Sequence, residues 1–185
     1  MNLEQNRLGL KPGSKPTTMT MRVLVIEDNP KHLEDAKAFF MNTEYVVNYV
    51  TNGEQAMQLL ADKGGFHDEP QAPQFRFVVT DLYLPLNSQF PEEQPIGIGI
   101  AMLCKQQGVR CVICTAGHHH GKRYEWISNL HRSALSLPMV TSDSVVPERD
   151  GEAESKFWQD AVELAEGRSE KYRSFDWYGW EKPKS

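Results

Sequence analysis

The chain has 185 residues, of which 39% are hydrophobic and 24% charged, a balance typical of a globular domain rather than a disordered chain. Its formal net charge of -5 argues against a protein that coats nucleic acid through a broad basic face. No apolar run approaches the roughly 20 residues that a membrane span needs. The N-terminus also lacks the apolar core of a secretory signal. Three cysteines, an odd number, favour a reducing compartment, so we expect a cytoplasmic protein.

The first third of the chain predicts a leader and one strand–helix unit. Residues 1–20 contain glycine and prolines without an apolar period, and we expect a flexible leader. The uninterrupted apolar run at 23–26 predicts a strand that is buried on both faces. Asn29 or Asp28 is placed to cap the helix that follows, with Pro30 in its first turn. The apolar stripe of this helix consists of Leu33, Ala36 and Phe40.

Two further units repeat the same alternation. Residues 45–50 predict a strand, and Asn52 with Gln55 forms a capping box at the start of the next helix. Its buried side consists of Ala56, Leu59 and Leu60. A surface loop at 61–74 leads to a third strand at 75–80, which ends at Asp81. The polar, proline-bracketed stretch at 86–95 predicts another long loop.

The last units complete the pattern. The third helix is expected to turn Ile98, Ala101, Met102 and the stem of Lys105 inward. A fourth strand at 109–114 is closed by Thr115, and a fourth helix follows at 124–133. A fifth strand is predicted at 135–141 and a final helix with the stripe Phe157, Ala161 and Leu164.

Five alternations of strand and helix predict an α/β fold of the flavodoxin-like, doubly wound type. Its five-stranded parallel sheet has the order 2-1-3-4-5 and carries helices on both faces. The domain spans 21–167, and an aromatic-rich tail follows at 168–185. Because the stretch after Gly167 is short, we expect any signal to pass through contact with another chain.

Acidic residues stand where two of the predicted strands end. Glu27 and Asp28 follow the first strand and Asp81 follows the third. In an open parallel sheet, ligands bind at the carboxyl ends of the strands, so these carboxylates should meet at one edge. Crowded carboxylates need a cation, and oxygen ligands favour Mg²⁺. The alternative is that Glu27 and Asp28 only cap the first helix.

Four segments of the chain resemble the response-regulator receiver domain of two-component signalling. They are residues 23–30, 51–56, 78–85 and 112–116. The resemblance covers roughly 21–167.

The resemblance implies a set of roles for the residues at the sheet edge. Asp81 would accept a phosphoryl group from a histidine kinase or a phosphotransfer protein, and the Thr115 hydroxyl would contact that group. Mg²⁺ would be held by Glu27, Asp28, Asp81 and the backbone carbonyl of Tyr83. The output would be contact with an unknown downstream protein, without direct binding to nucleic acid or a membrane.

The sequence departs from the receiver pattern at the fifth strand. Receivers place a Lys-Pro pair there, whereas Pro138 is preceded by Leu137, and the usual aromatic residue is also missing. Lys156, ahead of the last helix, is a candidate substitute. The other interpretation, which we favour, is a solvated lysine in the first helical turn. A degenerate pseudo-receiver that acts as a non-phosphorylated interaction module is therefore the alternative function.

Other features have more ordinary interpretations. The loop His118–His120 beside the acids is expected to be exposed rather than a transition-metal site, because successive residues rarely point at one centre. Cys111 and Cys114 should pack in the core. A phosphatase of the haloacid dehalogenase type ranks last, because it needs a second aspartate where Tyr83 stands. The tail either contacts a partner or covers an apolar face of its own domain through Tyr172, Phe175, Trp177, Tyr178 and Trp180.

Overall fold

A computed structural model of the chain describes residues 21–61, 74–116, 138–141 and 155–171. Strands and helices alternate through these residues, with a pair of extra strands in the middle. The elements are β1 (Arg22–Ile26), α1 (Pro30–Phe40), β2 (Val46–Val50), α2 (Gly53–Ala61), β3 (Phe77–Thr80), β4 (Leu84–Asn87), β5 (Phe90–Gln94), α3 (Ile96–Gln107), β6 (Arg110–Thr115), β7 (Met139–Thr141) and α4 (Trp158–Ala165).

Five strands form one parallel sheet in the order β2-β1-β3-β6-β7. Counted among the strands of this sheet alone, the order is 2-1-3-4-5, so the predicted fold class is confirmed. β1 is paired on both sides, with Leu24 opposite Asn48 and Val78. The side chains of residues 23–26 are 0% exposed, because helices cover both faces of the sheet.

The helices pack in two pairs, α1 with α4 and α2 with α3, which places one pair on each face of the sheet. The Asn29 side chain caps α1, since its Oδ1 accepts the N–H groups of Lys31 and His32 at 2.9 and 3.4 Å. The predicted capping box of α2 is present in part. The Gln55 N–H donates to Asn52 Oδ1 at 2.9 Å, whereas Gln55 Oε1 accepts the N–H of Thr51 at 3.4 Å rather than that of Asn52.

The prediction of a long loop at 86–95 is wrong, because β4 and β5 form an antiparallel hairpin there. Asn87 makes the turn through its Oδ1, which accepts the N–H groups of Gln89 and Phe90 at 2.9 and 3.1 Å. The prolines suggested a loop, but a two-stranded ribbon tolerates proline where an N–H group points away from the partner strand. β4 packs against α2 and α3, so the hairpin is anchored beside the end of β3.

Two helices bury faces that differ from the predicted ones. The buried residues of α3 are Gly97, Ile100, Ala101 and Cys104. Met102, predicted to be inward, is 47% exposed, and Ile98 is half-buried. Compared with the prediction, α3 is rotated about its axis. The reason is that Gly97 packs closely against the backbone of Asp81, which a residue with a Cβ could not do. In α1, His32 takes the buried place predicted for Leu33, which is half-buried.

The last elements agree with the prediction in part. The fifth strand of the sheet is present at Met139–Thr141, and α4 buries Ala161 and Leu164 as predicted. Phe157, predicted in the same stripe, is instead the half-buried N-cap, and Trp158 is buried after it. The predicted leader, the helix at 124–133 and the aromatic part of the tail lie outside the described residues. The domain boundaries therefore stay predictions. Within the described ranges, none of the helices combines the length and the apolarity that crossing a membrane requires.

Candidate functional site

Three carboxylates meet at the carboxyl edge of the sheet. Glu27 follows β1 and is fully buried, whereas Asp28 and Asp81 are half-buried. One oxygen of each carboxylate lies within 4.8 Å of the others. β1 and β3 are neighbours, and the Asp81 N–H continues their ladder by donating to the Ile26 carbonyl at 2.9 Å. The pairing of these strands thus brings together the three acids that the sequence predicted to converge.

Lys156 lies inside this cluster. Its Nζ is 2.5 Å from Glu27 Oε2 and 2.8 Å from Asp81 Oδ2, and its side chain is 1% exposed. The favoured interpretation of a solvated lysine is therefore wrong. The residue stands just ahead of α4, and α4 packs against β3, β6 and β7, which directs the Lys156 side chain to the edge where the acids lie.

Burial shifts the proton affinities of the cluster. It raises the pKa of Glu27 to about 7, against the attraction of Lys156 and with a contribution from Asp81. Burial also raises the pKa of Asp28 to about 6, helped by the charges of Asp81 and Glu93. For Lys156, burial lowers the pKa, but the carboxylates of Asp81 and Glu27 outweigh it and the pKa is raised overall. Within the described part of the chain, three carboxylates meet a single ammonium here, so a further cation is favoured.

The donor set fits a hard divalent ion such as Mg²⁺, which prefers carboxylate oxygens. Asp28 and Asp81 present half-buried carboxylates beside Glu27. The Glu27 carboxylate is itself held in place, because its Oε1 accepts the Asn29 N–H at 3.1 Å while Oε2 pairs with Lys156. Tyr83 is half-buried in the turn between β3 and β4, two residues beyond Asp81.

The backbone around Asp81 shows contacts that the sequence analysis missed. The Leu82 N–H donates to Asp81 Oδ1 at 2.6 Å, and the Thr80 hydroxyl donates to the Asp81 carbonyl oxygen at 2.9 Å. Gly97 lies against the same peptide. The sequence offered one signal for this contact, namely a glycine at the start of the helix, because glycine lets a backbone approach closely.

Thr115 is placed at the same edge, as the last residue of β6 beside β3, and is 2% exposed. Cys111 and Cys114 are buried and free, as predicted for core packing. Burial raises the pKa of Cys114 to about 12, so its thiol is unreactive. His118–His120 lie outside the described residues.

Solved structures of receiver domains are among those to which the chain is similar. The signal receiver domain of an HD domain-containing protein from Pseudomonas fluorescens Pf-5 is 12% identical over 87% of this chain and 95% of that chain, with a TM-score of 0.51. A response regulator receiver protein from Sinorhizobium medicae WSM419 is 17% identical over 82% and 98%, with a TM-score of 0.49. A bacteriophytochrome response regulator is 18% identical over 66% and 82%, with a TM-score of 0.45.

No protein-family model and no curated protein sequence matches the chain. The likeness to solved structures thus concerns the fold. The chain has the fold of a receiver domain, which confirms at that level the resemblance drawn from its sequence.

Proposed function

We propose that the protein is a receiver that takes a phosphoryl group on Asp81 from a phosphohistidine of a histidine kinase or phosphotransfer protein. It then signals through contact with another protein, as a phosphoacceptor and not as an enzyme that turns over a substrate. The observation that carries this proposal is the buried ammonium of Lys156, 2.8 Å from Asp81 Oδ2 in a cluster of three carboxylates.

Lys156 supplies the feature whose absence argued against a working receiver. The resemblance requires an ammonium at the acceptor, and the sequence lacks one beside Pro138. A buried charge is costly unless it is paired, and Lys156 is paired with both Glu27 and Asp81. In this proposal Lys156, just ahead of α4, supplies the ammonium beside the phosphoryl group that the resemblance assigns to a lysine of the fifth strand.

The transfer is a displacement at phosphorus by a carboxylate. An Asp81 oxygen forms a bond to phosphorus while the bond from phosphorus to the donor imidazole breaks, and its electron pair leaves with the imidazole nitrogen. In this proposal the Lys156 ammonium neutralises negative charge on the phosphoryl oxygens, and the Thr115 hydroxyl donates to them. Mg²⁺ held by Glu27, Asp28, Asp81 and the Tyr83 carbonyl would supply further charge neutralisation.

The proposal is tested by incubation with Mg²⁺ and a small phosphodonor such as acetyl phosphate or phosphoramidate. We expect the intact mass to increase by one phosphoryl group, and we expect the adduct to be stable in acid and lost in base or hydroxylamine. Asp81→Asn should abolish the adduct, whereas Asp35→Asn in α1 should leave it unchanged. Absence of the adduct with each donor, or its persistence in Asp81→Asn, contradicts the proposal.

The same lysine also favours a second candidate, the pseudo-receiver. Lys156 pairs with both Glu27 and Asp81, and these two ion pairs stabilise one arrangement of the site. A protein-interaction module of this kind predicts that Asp81→Ala leaves partner binding unchanged. Loss of partner binding on this substitution, together with the adduct above, decides for the phosphoacceptor.

A further inference from the structure

The backbone of Asp81 is held by groups that the transfer chemistry does not use. The Thr80 hydroxyl donates to the Asp81 carbonyl oxygen at 2.9 Å. The Gly97 N–H donates to the Leu82 carbonyl oxygen at 3.1 Å, and the Leu82 N–H donates to Asp81 Oδ1 at 2.6 Å. A continuous chain of contacts therefore runs from Thr80 and α3 to the carboxylate.

Gly97 has no room for a side chain. A Cβ at this position would lie 1.9 Å from the Asp81 carbonyl oxygen and 3.0 Å from the Leu82 Cα. These are backbone atoms, which cannot move aside as the end of a flexible side chain can. A Cβ on Gly99, two residues further along the same helix, would meet nothing within 4 Å. The need for glycine at position 97 thus comes from Asp81 and not from the helix.

The contact also completes the start of α3. The first N–H groups of a helix have no partner inside it, and Pro95 at the N-cap offers no side-chain hydrogen bond. The Leu82 carbonyl accepts the Gly97 N–H instead. The beginning of α3 and the peptide that follows Asp81 therefore fix each other's position.

We propose that Thr80 and Gly97 are positioning residues for the phosphoryl transfer to Asp81. Together they hold the peptide between Asp81 and Leu82 so that the Leu82 N–H fixes Oδ1 and Oδ2 faces Lys156. This inference rests on the proposed function of Asp81 as the acceptor. Because the rate of a displacement depends steeply on the placement of the attacking group, a small shift of this peptide slows the reaction.

The kinetic test uses two matched pairs of variants in the full chain. Thr80→Val removes the hydroxyl and keeps the branched shape, whereas Thr80→Ser keeps the hydroxyl. Gly97→Ala forces the Asp81 peptide to move, whereas Gly99→Ala adds the same methyl group in open space. With acetyl phosphate and Mg²⁺ both saturating, we expect the rate constant to fall about tenfold in Thr80→Val and further in Gly97→Ala. The half-saturating donor concentration should not change, and both control variants should stay within about twofold of the parent rate.

A second measurement needs no phosphorylation. The amide proton of Leu82 donates to Asp81 Oδ1, so its NMR resonance reports the placement of the carboxylate. We expect this resonance to move in Thr80→Val and Gly97→Ala and to stay in place in Thr80→Ser and Gly99→Ala. If Gly97→Ala does not fold, the two Thr80 variants decide.

The outcomes separate this inference from the proposed function. A Leu82 resonance that stays in place in Thr80→Val overturns the positioning role, and so does a rate that is the same in Thr80→Val and Thr80→Ser. If the parent chain accepts no phosphoryl group, the proposed function fails, and the Leu82 resonance still decides whether Thr80 and Gly97 place the carboxylate.

Discussion

Glu27 and Glu166 are both withdrawn from water, with side chains 0% and 8% exposed, yet their pKa values shift in opposite directions. At Glu27, burial dominates and raises the pKa to about 7. At Glu166, burial is outweighed by the Tyr45 hydroxyl and by the guanidinium groups of Arg168 and Arg76, and the pKa is lowered. The first glutamate lies at the carboxyl edge of the sheet, and the second lies beside the start of β3 at the opposite edge.

The opposite pKa shifts of the two glutamates show at which edge of the sheet the charges are balanced. The opposite edge surrounds one carboxylate with two arginines and a hydroxyl donor, so it needs nothing more. Among the described residues, the carboxyl edge of the sheet holds three carboxylates and only one ammonium, which leaves an excess of negative charge. A site that binds a cation needs such an excess of carboxylates, held in place by the surrounding structure. Four experiments test this difference between the two ends of the sheet.

The largest effect is expected from Lys156→Met, which removes the ammonium and keeps an unbranched apolar side chain. At pH 8 without divalent ions, the free energy of unfolding should fall by about 3–5 kcal/mol, because buried carboxylates lose their partner. Urea unfolding measures the loss. Lys171→Met is the control, since its pair with Asp160 is exposed and should contribute less than about 1 kcal/mol. Equal losses in the two variants would contradict the described role of Lys156.

A smaller effect is expected from pH in the parent chain. Glu27 and Asp28 have raised pKa values of about 7 and about 6, so between pH 4.5 and pH 7 the folded state binds more protons than the unfolded state. Their contribution to stability is present at low pH and is lost as the pH rises through these values, and we expect a decrease of about 1–3 kcal/mol. Lys156 stays charged throughout, because its pKa is raised. Urea unfolding from pH 5 to pH 8 without divalent ions would show a rise instead if the carboxylates were fully compensated.

Mg²⁺ should produce a still smaller, site-specific effect. At about ten times its Kd, a bound ion stabilises the folded state by about 1.4 kcal/mol, and the melting temperature at pH 8 should rise accordingly. Asp28→Asn removes one carboxylate of the cluster and should abolish the rise, whereas Glu166→Gln should keep it. A rise that is the same in Asp28→Asn as in the parent would place the ion elsewhere.

The smallest effect is expected from Glu166→Gln itself. Arg76, one of its partners, is 51% exposed, so its pairing with Glu166 is screened by water and the substitution should cost about 1 kcal/mol or less. Chemical unfolding of this variant sets the scale for Lys156→Met. A loss as large as that of Lys156→Met would show that the two edges do not differ in the way described.

Much of the fold could be predicted from the sequence, because it depends on local patterns. The apolar run at 23–26 and the capping residues Asn29 and Asn52 each act within a few positions of the chain. The hairpin could not, since proline and acidic residues in β5 favour a loop unless a partner strand is known to be present.

The candidate site could likewise be predicted only in part. The three acids are found at strand ends, where a general rule for parallel sheets places ligands. Lys156 contacts Glu27 across 129 positions of sequence, and no local pattern distinguishes it from an exposed lysine. The rotation of α3 was missed for a similar reason, because it is fixed by the contact of Gly97 with Asp81 rather than by the apolar period of the helix.

The position of Lys156 in the chain also has a consequence for the order in which the molecule assembles. Of the elements described, α4 is the last to be synthesised, so β1 and β3 are complete before the residue that pairs their acids exists. Contacts between such distant parts of a chain form late and slowly, because a long loop must close first. Docking of α4 thus brings to the edge of the sheet the ammonium that offsets Glu27 and Asp81.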